Sequence, residues 1–186
     1  ACSSVEKLPK CRHRVLACPE FDPVELKLLE GSTAYLNATT FSYDLEKYRA
    51  LLTDVFAKIK SSGAKRLIID LRNNTGGNST LGDALIDMFN AKPYKGFSMK
   101  WKKSAQYLER LKSLNATVPD YYQKLKAGEI YSSQSKKIQP SKNPLRFSGQ
   151  VYVLSGRKTF SSGQMFLAVV KDNKLATMIG EETNEP

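Results

Sequence analysis

The chain has 186 residues, 41% of them hydrophobic and 25% charged, with 29 Lys and Arg against 18 Asp and Glu. That is the size and balance of one globular domain with a core of its own, and no run approaches the ~20 apolar residues that a membrane span requires. The formal charge of +11 favours acidic partners, but the basic residues come in pairs such as Lys102-Lys103 and Lys136-Lys137 rather than in a stripe interleaved with aromatics, so nucleic acid is not expected as a partner.

Residues 1–23 mix Pro9, Pro19 and Pro23 with charges and show no period. They read as an N-terminal arm or the remnant of a preceding module. Cys2, Cys11 and Cys18 all fall in this arm, with His13 between two of them. The spacing matches no zinc site, which leaves free thiols or one disulfide with a thiol left over. No metal or cofactor is expected. The first residues lack the apolar stretch of a signal peptide, and a chain that begins at Ala1 without Met is compatible with a leader already removed.

From Val24 to Leu29 apolar and charged residues alternate, which predicts a strand with one wet face. Glu30-Gly31 turns it, and Ser32 to Ala38 predicts the second arm of a hairpin. Ser42 is placed to cap the next element, where Leu45, Tyr48, Leu52, Val55, Phe56 and Ile59 recur at helical spacing and Gly63 stops the run. Leu67, Ile68, Ile69 and Leu71, interrupted only by Asp70, are too continuous for a half-exposed strand and predict a buried, parallel one. It runs into Asn73-Asn74-Thr75-Gly76-Gly77, where the glycines let backbone N–H groups lie bare, and bare amides at a strand's carboxyl end bind negative charge. Thr80, with Asp83 three residues on, is placed to cap a helix carrying Leu81, Leu85, Met88 and Phe89.

After Phe89 the pattern loosens. Phe97 to Trp101 alternates like a strand, Ser104 to Leu114 and Pro119 to Lys126 read as short helices, and 132–144 is polar and broken by proline. We read 91–147 as an irregular insertion, either a lid or substrate wall or a solvated surface segment. Order returns with a buried strand at Val151 to Leu154, a polar turn, a helix from Phe160 to Val170 and a last strand from Leu175 to Ile179. The rhythm is that of an α/β domain with partly parallel strands.

In the second turn, Thr159 to Gln164, two uses of serine compete. Ser161 or Ser162 can cap the helix by accepting a backbone N–H. Alternatively, a hydroxyl at a strand-to-helix turn is a nucleophile whose oxyanion is held by the helix's first N–H groups. Taken alone, the cap is the commoner use. The bare-amide loop at Gly76-Gly77, ending a second strand, shifts the balance because a second oxyanion donor needs such a loop.

These residues suggest a family. LIIDLRNNTGG (67–77) and TFSSGQMFLAVVKDNKLATMIGEET (159–183) together resemble the tail-specific or C-terminal processing serine peptidases, a group that includes the tricorn core and the retinoid-binding repeats of the interphotoreceptor protein. In those proteins an LxxDLRxNxGG loop precedes a T-A-S-A-S-E segment, then K-D-N and G-E-x-T. The ungapped register puts the family nucleophile on Ser161, the following alanine on Ser162 and the glutamate on Gln164. The resemblance implies an α/β fold with a ClpP- and crotonase-like core of ββα units over 24–186. It also implies peptide hydrolysis through an acyl-enzyme on Ser161, with an oxyanion held by backbone N–H groups of Gly76, Gly77 and Ser162. The implied partner is a peptide or protein substrate and the implied setting periplasmic or secreted. Oligomeric state is written in none of these motifs.

The departures are specific. In the serine–lysine branch the general base follows G-E-x-T, and the same register puts Pro186 there. In the tricorn-like branch a histidine from an earlier segment serves with a downstream glutamate, but the context of His13 matches nothing in the family. Lys171 and Lys174 lie about 15 Å or more along the helix from Ser161, so neither can be its base. The base is therefore expected outside the visible motifs, in a chain cut from a longer protein and truncated at its C-terminus. Two further readings are a catalytically incomplete domain of this fold that holds peptides or apolar ligands, and a crotonase-like acyl-CoA enzyme that needs no nucleophilic serine.

Overall fold

The computed structural model describes residues 22–135 and 137–184. Cys2, Cys11, Cys18, His13 and Pro186 lie outside the described residues, as does nearly all of the expected N-terminal arm.

A five-stranded sheet organises the fold. Strands β1 (Val24–Leu29) and β2 (Thr33–Ala38) form the expected antiparallel hairpin. Strand β3 (Arg66–Asp70) adds parallel to β2 after helix α1 (Leu45–Ser61). Helix α2 (Ser79–Asp87) follows β3, and the chain then makes its excursion before returning. Strand β8 (Gln150–Ser155) pairs parallel with β3, and β9 (Thr177–Gly180) pairs parallel with β8 after helix α5 (Ser162–Asp172). The spatial order is β1-β2-β3-β8-β9, so β3, whose end carries the glycine loop, is central and flanked by β8, whose end carries the serine turn.

Register decides what the sheet buries. Ala34 pairs with Leu67 and Leu67 with Val151, while Leu36 pairs with Ile69 and Ile69 with Val153. Because side chains alternate along a strand, these residues share one face, and they join Tyr48, Leu52 and Phe56 of α1, Leu81 and Leu85 of α2, and Phe166 and Val170 of α5 in a single core. Tyr35, Ile68 and Tyr152 line the opposite face and are half-buried. Each aliphatic side chain wholly removed from water contributes roughly 1.5–3 kcal/mol, so the helix-covered face supplies most of the apolar stabilisation.

Two helix starts differ from the sequence expectation. Asp44, not Ser42, caps α1, accepting the Lys47 N–H at 2.9 Å; the Ser42 N–H is drawn instead to Thr40 Oγ1. Asn78, not Thr80, caps α2: its Oδ1 accepts both the Thr80 N–H and hydroxyl, at 3.0 and 2.9 Å.

The 91–147 excursion has more order than its composition suggests. Strand β4 (Tyr94–Lys95) pairs with β7 (Lys137–Ile138), and β5 (Met99–Lys102) with β6 (Ile130–Ser133), both antiparallel; helices α3 (Ala105–Ser113) and α4 (Asp120–Gln123) lie between. Tyr122 is the buried centre of this subunit. Its ring meets Tyr107 edge-on at 5.2 Å, Tyr107 stacks on Trp101 at 5.4 Å, and the Tyr122 hydroxyl donates to Lys102 O while accepting the Ser104 N–H.

Candidate active site

The glycine loop is fixed by its neighbours rather than by its own helix or strand. Past β3, Thr75 N–H donates to Thr39 O at 3.0 Å, Phe41 N–H to Gly76 O at 2.7 Å and Asn78 N–H to Phe41 O at 2.9 Å, a short parallel bridge that sews the loop to the end of β2. Asn74 does the rest. It is fully buried, its Nδ2 donates to Ala38 O at 2.9 Å, its Oδ1 accepts the Gly76 N–H at 2.9 Å, and its backbone carbonyl accepts the Phe160 N–H at 2.9 Å. A buried asparagine that satisfies three partners, two through its side chain and one through its backbone carbonyl, is worth more as a positioning device than its net stabilisation implies.

Both glycines are required by space as well as conformation. Gly76 has φ of 81°, and a Cβ there would fall 2.8 Å from Ser161 Cβ and 2.8 Å from Phe160 O; Gly77 has φ of 134°, and its Cβ would fall 2.3 Å from the Phe41 backbone. The loop therefore lies directly against the second turn. The structure brings Gly76, Gly77, Ser161 and Ser162 together although more than 80 residues separate the two motifs.

Ser161 has φ of 51° and ψ of −119°, a combination that a non-glycine residue adopts at a cost of order 1–3 kcal/mol. It occupies the N-cap position of α5, yet its side chain makes no capping hydrogen bond, and the residue is exposed. The ordinary use of serine at a helix start is thus not the use made of it here. Thr159 holds the turn from behind: its hydroxyl donates to Leu71 O at 2.7 Å and accepts the Gly156 N–H at 3.2 Å. Ser162 is buried, and its hydroxyl finds no partner among the described residues.

The backbone donors around Ser161 are not equivalent. The Gly76 N–H is already given to Asn74. The Gly77 and Ser162 N–H groups donate to nothing among the described residues, and the latter is the first N–H of α5, where the helix dipole favours negative charge.

Ser161 opens onto a cleft of about 780 Å³, walled by Phe97, Met165, Met178 and the 180–184 segment. Gln164 Nε2 donates to Thr183 Oγ1 at 2.8 Å, tying the serine helix to the segment after β9. Among the described residues, the titratable side chains lining the cleft are Lys171, Glu181 and Glu182. Lys171 is ten residues, about 15 Å, along α5 from Ser161, and Lys174 lies beyond the helix; Glu181 stands 3.5 Å from Arg157. No described group of His, Cys, Asp or Glu is arranged to hold a metal, and no described helix is long and apolar enough to cross a membrane.

Below the loop, Asp70 is buried and receives Arg72 Nε at 3.0 Å, Arg72 Nη2 at 2.7 Å and the Tyr35 hydroxyl at 2.5 Å. Burial pushes its carboxyl up, but the hydrogen bonds from Arg72 and Tyr35 outweigh that and hold it below the usual carboxylate range. Burial, reinforced by the Asp70 charge, raises the Tyr35 phenol. This cluster braces the end of β3 and does not enter the cleft.

In the sequence Asn74 reads as one loop former among several, and Thr159 as no more than the first residue of the second motif. Both are structural keystones of the site. Their signal was their place within the two motifs, since neither composition nor periodicity marks them.

The model of peptidase family S41 matches residues 32–185. Among solved structures, similarity is found to a candidate peptidase from Parabacteroides merdae (21% identity, 87% of this chain and 44% of that one, TM-score 0.64). It extends to the photosystem II D1 C-terminal processing protease (20%, 87% and 37%, 0.54) and to mature CPAF complexed with lactacystin (19%, 86% and 40%, 0.54). At these identities the likeness is one of fold, and the chain spans less than half the length of each of the three. No curated protein matches the chain. With a mixed α/β sheet that those proteases share and a family match across more than four fifths of its residues, this chain belongs to peptidase family S41.

Proposed function

We propose that the chain is the core of a serine peptidase that cleaves peptide bonds in protein tails or unfolded chains. The observation that carries this reading is the backbone of Ser161: a strained, exposed serine that caps nothing, pressed against a glycine loop. In the proposed reaction Ser161 Oγ attacks the scissile carbonyl as its proton passes to a base, giving a tetrahedral oxyanion. Collapse breaks the C–N bond, the amine leaves with a proton, and water then cleaves the acyl-enzyme. The Gly77 and Ser162 N–H groups are the open donors for the oxyanion, while Gly76 supplies the room for close approach. The proton acceptor is assigned to sequence outside the described residues, because the cleft's lysine is a helix length away. The tail-specific or tricorn-like subtype, a periplasmic or secreted setting and the division into an arm and a 24–186 core belong to the same proposal.

The second reading, a domain of this fold that holds peptides without turning them over, is favoured by one observation: the lysine of the cleft, Lys171, lies about 15 Å along α5 from Ser161. The acyl-CoA reading has nothing further in its favour once the S41 match is known. A serine-directed fluorophosphonate probe on the full-length protein decides. Labelling abolished by Ser161→Ala and retained in Ser162→Ala is the expected result. Labelling that survives Ser161→Ala removes the nucleophile assignment, and no labelling of the unsubstituted protein leaves the binding domain.

A further inference from the structure

The positive charge of this protein is almost entirely local. Residues 91–147 hold 13 Lys and Arg and three Asp and Glu, a net +10 of the chain's +11, so the rest of the molecule is close to neutral. Arg146 is ion-paired with Asp87, but Lys95 and Lys100 are exposed and pair with no carboxylate among the described residues. They flank a groove of about 430 Å³ lined by Ser98, Met99 and the polar 132–135 segment.

That groove is linked to the Ser161 cleft by shared wall residues. Phe97 walls the cleft and also a smaller cavity of about 210 Å³ beside Ser162; Met99 walls that cavity and the lysine groove. The position of Lys95 at the edge of the groove is fixed as well. Lys95 N–H donates to Asn173 Oδ1 at 2.8 Å and Asn173 Nδ2 to Lys95 O at 2.9 Å, which pins β4 to the far end of the helix that Ser161 begins. Twelve residues of helix span about 18 Å, the reach of five or six residues of extended chain.

We propose that this groove receives acidic side chains of the substrate polypeptide, five or six residues from the scissile bond. The proposal rests on the peptidase reading above and names its substrate class. Two unpaired ammonium groups over hydroxyl donors suit carboxylates, and a local field of this sign also speeds the encounter with an acidic chain. No aromatic ring lines the groove, and Trp101 and Tyr107 are spent on each other, so the stacking platform that a single-stranded nucleic acid uses is not offered there.

The test is binding to the full-length protein carrying Ser161→Ala, followed by fluorescence anisotropy. Two peptides of equal length are compared, one with Glu and one with Gln five and six residues from a central bond. The Glu peptide is expected to bind roughly threefold to tenfold tighter, the advantage shrinking with added salt. It should disappear in Lys95→Ala/Lys100→Ala and return in Lys95→Arg/Lys100→Arg. Equal binding of the two peptides, or a Glu preference that survives the alanine pair, overturns the proposal. So does tighter lysine-dependent binding of a single-stranded oligonucleotide or of anionic vesicles, which would make this a polyanion face. Failure of fluorophosphonate labelling in the unsubstituted protein overturns the peptidase reading alone, because the Glu-against-Gln comparison is read on binding.

Discussion

Asn74 accepts the Gly76 N–H through its side-chain carbonyl at 2.9 Å, and in doing so decides which glycine of the loop keeps an open amide. The same side chain donates to Ala38 O from a position with no solvent access. Asn74→Ala therefore leaves a buried donor and a buried acceptor unmet, and each costs about 1–3 kcal/mol. The expected loss is roughly 2–4 kcal/mol, read as a lower urea midpoint at unchanged slope. A variant as stable as the parent would show that water replaces the amide.

Gly76→Ala tests the approach of the loop to Ser161. Its Cβ would meet Phe160 O and Ser161 Cβ at 2.8 Å in a backbone region that disfavours side chains. Ser161 must then shift, and fluorophosphonate labelling is expected to fall by roughly a hundredfold, as displacements near 1 Å do. Labelling within a factor of two of the parent would mean that the turn tolerates a wider gap.

Ser162→Ala should stabilise the protein. The buried hydroxyl has no partner among the described residues, so its removal sheds a desolvation cost of about 1 kcal/mol and leaves the backbone N–H in place. Differential scanning calorimetry should show an equal or higher Tm, whereas a clear drop would reveal an ordered water on that hydroxyl.

The Asp70–Arg72 pair predicts a pH dependence with a definite sign. A carboxyl held below its unfolded pKa contributes stability that is present above about pH 3.9 and is lost as pH falls through the folded value. Arg72→Ala removes part of that contribution. Because Arg72 is half exposed, we expect about 1 kcal/mol near neutral pH, shrinking towards zero in acid. A difference that stays constant from neutral to acid pH would trace the loss to packing of the arginine stem instead.

What could be read from the sequence follows from where the determining forces act. The run 67–71 announced a buried parallel strand because its apolar character is continuous, 151–154 announced a strand of which only Val153 is buried, and the α1 stripe announced its own face. The caps were misplaced by two residues for a tertiary reason. Phe41 and Gly77 bridge β2 to the loop, and that bridge places Asn78 at the start of α2. The paired strands of the excursion, two to four residues long and joined across more than 25 intervening residues, leave no periodicity to find. Its charge was visible, but not which of its lysines share a groove: β4 and β5 bring Lys95 and Lys100 to one. Asn74 was unreadable as a keystone, since an asparagine beside glycines is first of all a turn former.

The backbone of Ser161 has a consequence for the life of the chain. Its unfavourable torsions persist only while Asn74 O holds Phe160 N–H and Thr159 grips Leu71 O, contacts 86 and 88 residues apart. β8 and α5 must meet the end of β3 and its loop before that serine takes this backbone conformation. On the proposed function, the nucleophile is set only once these long-range contacts have closed.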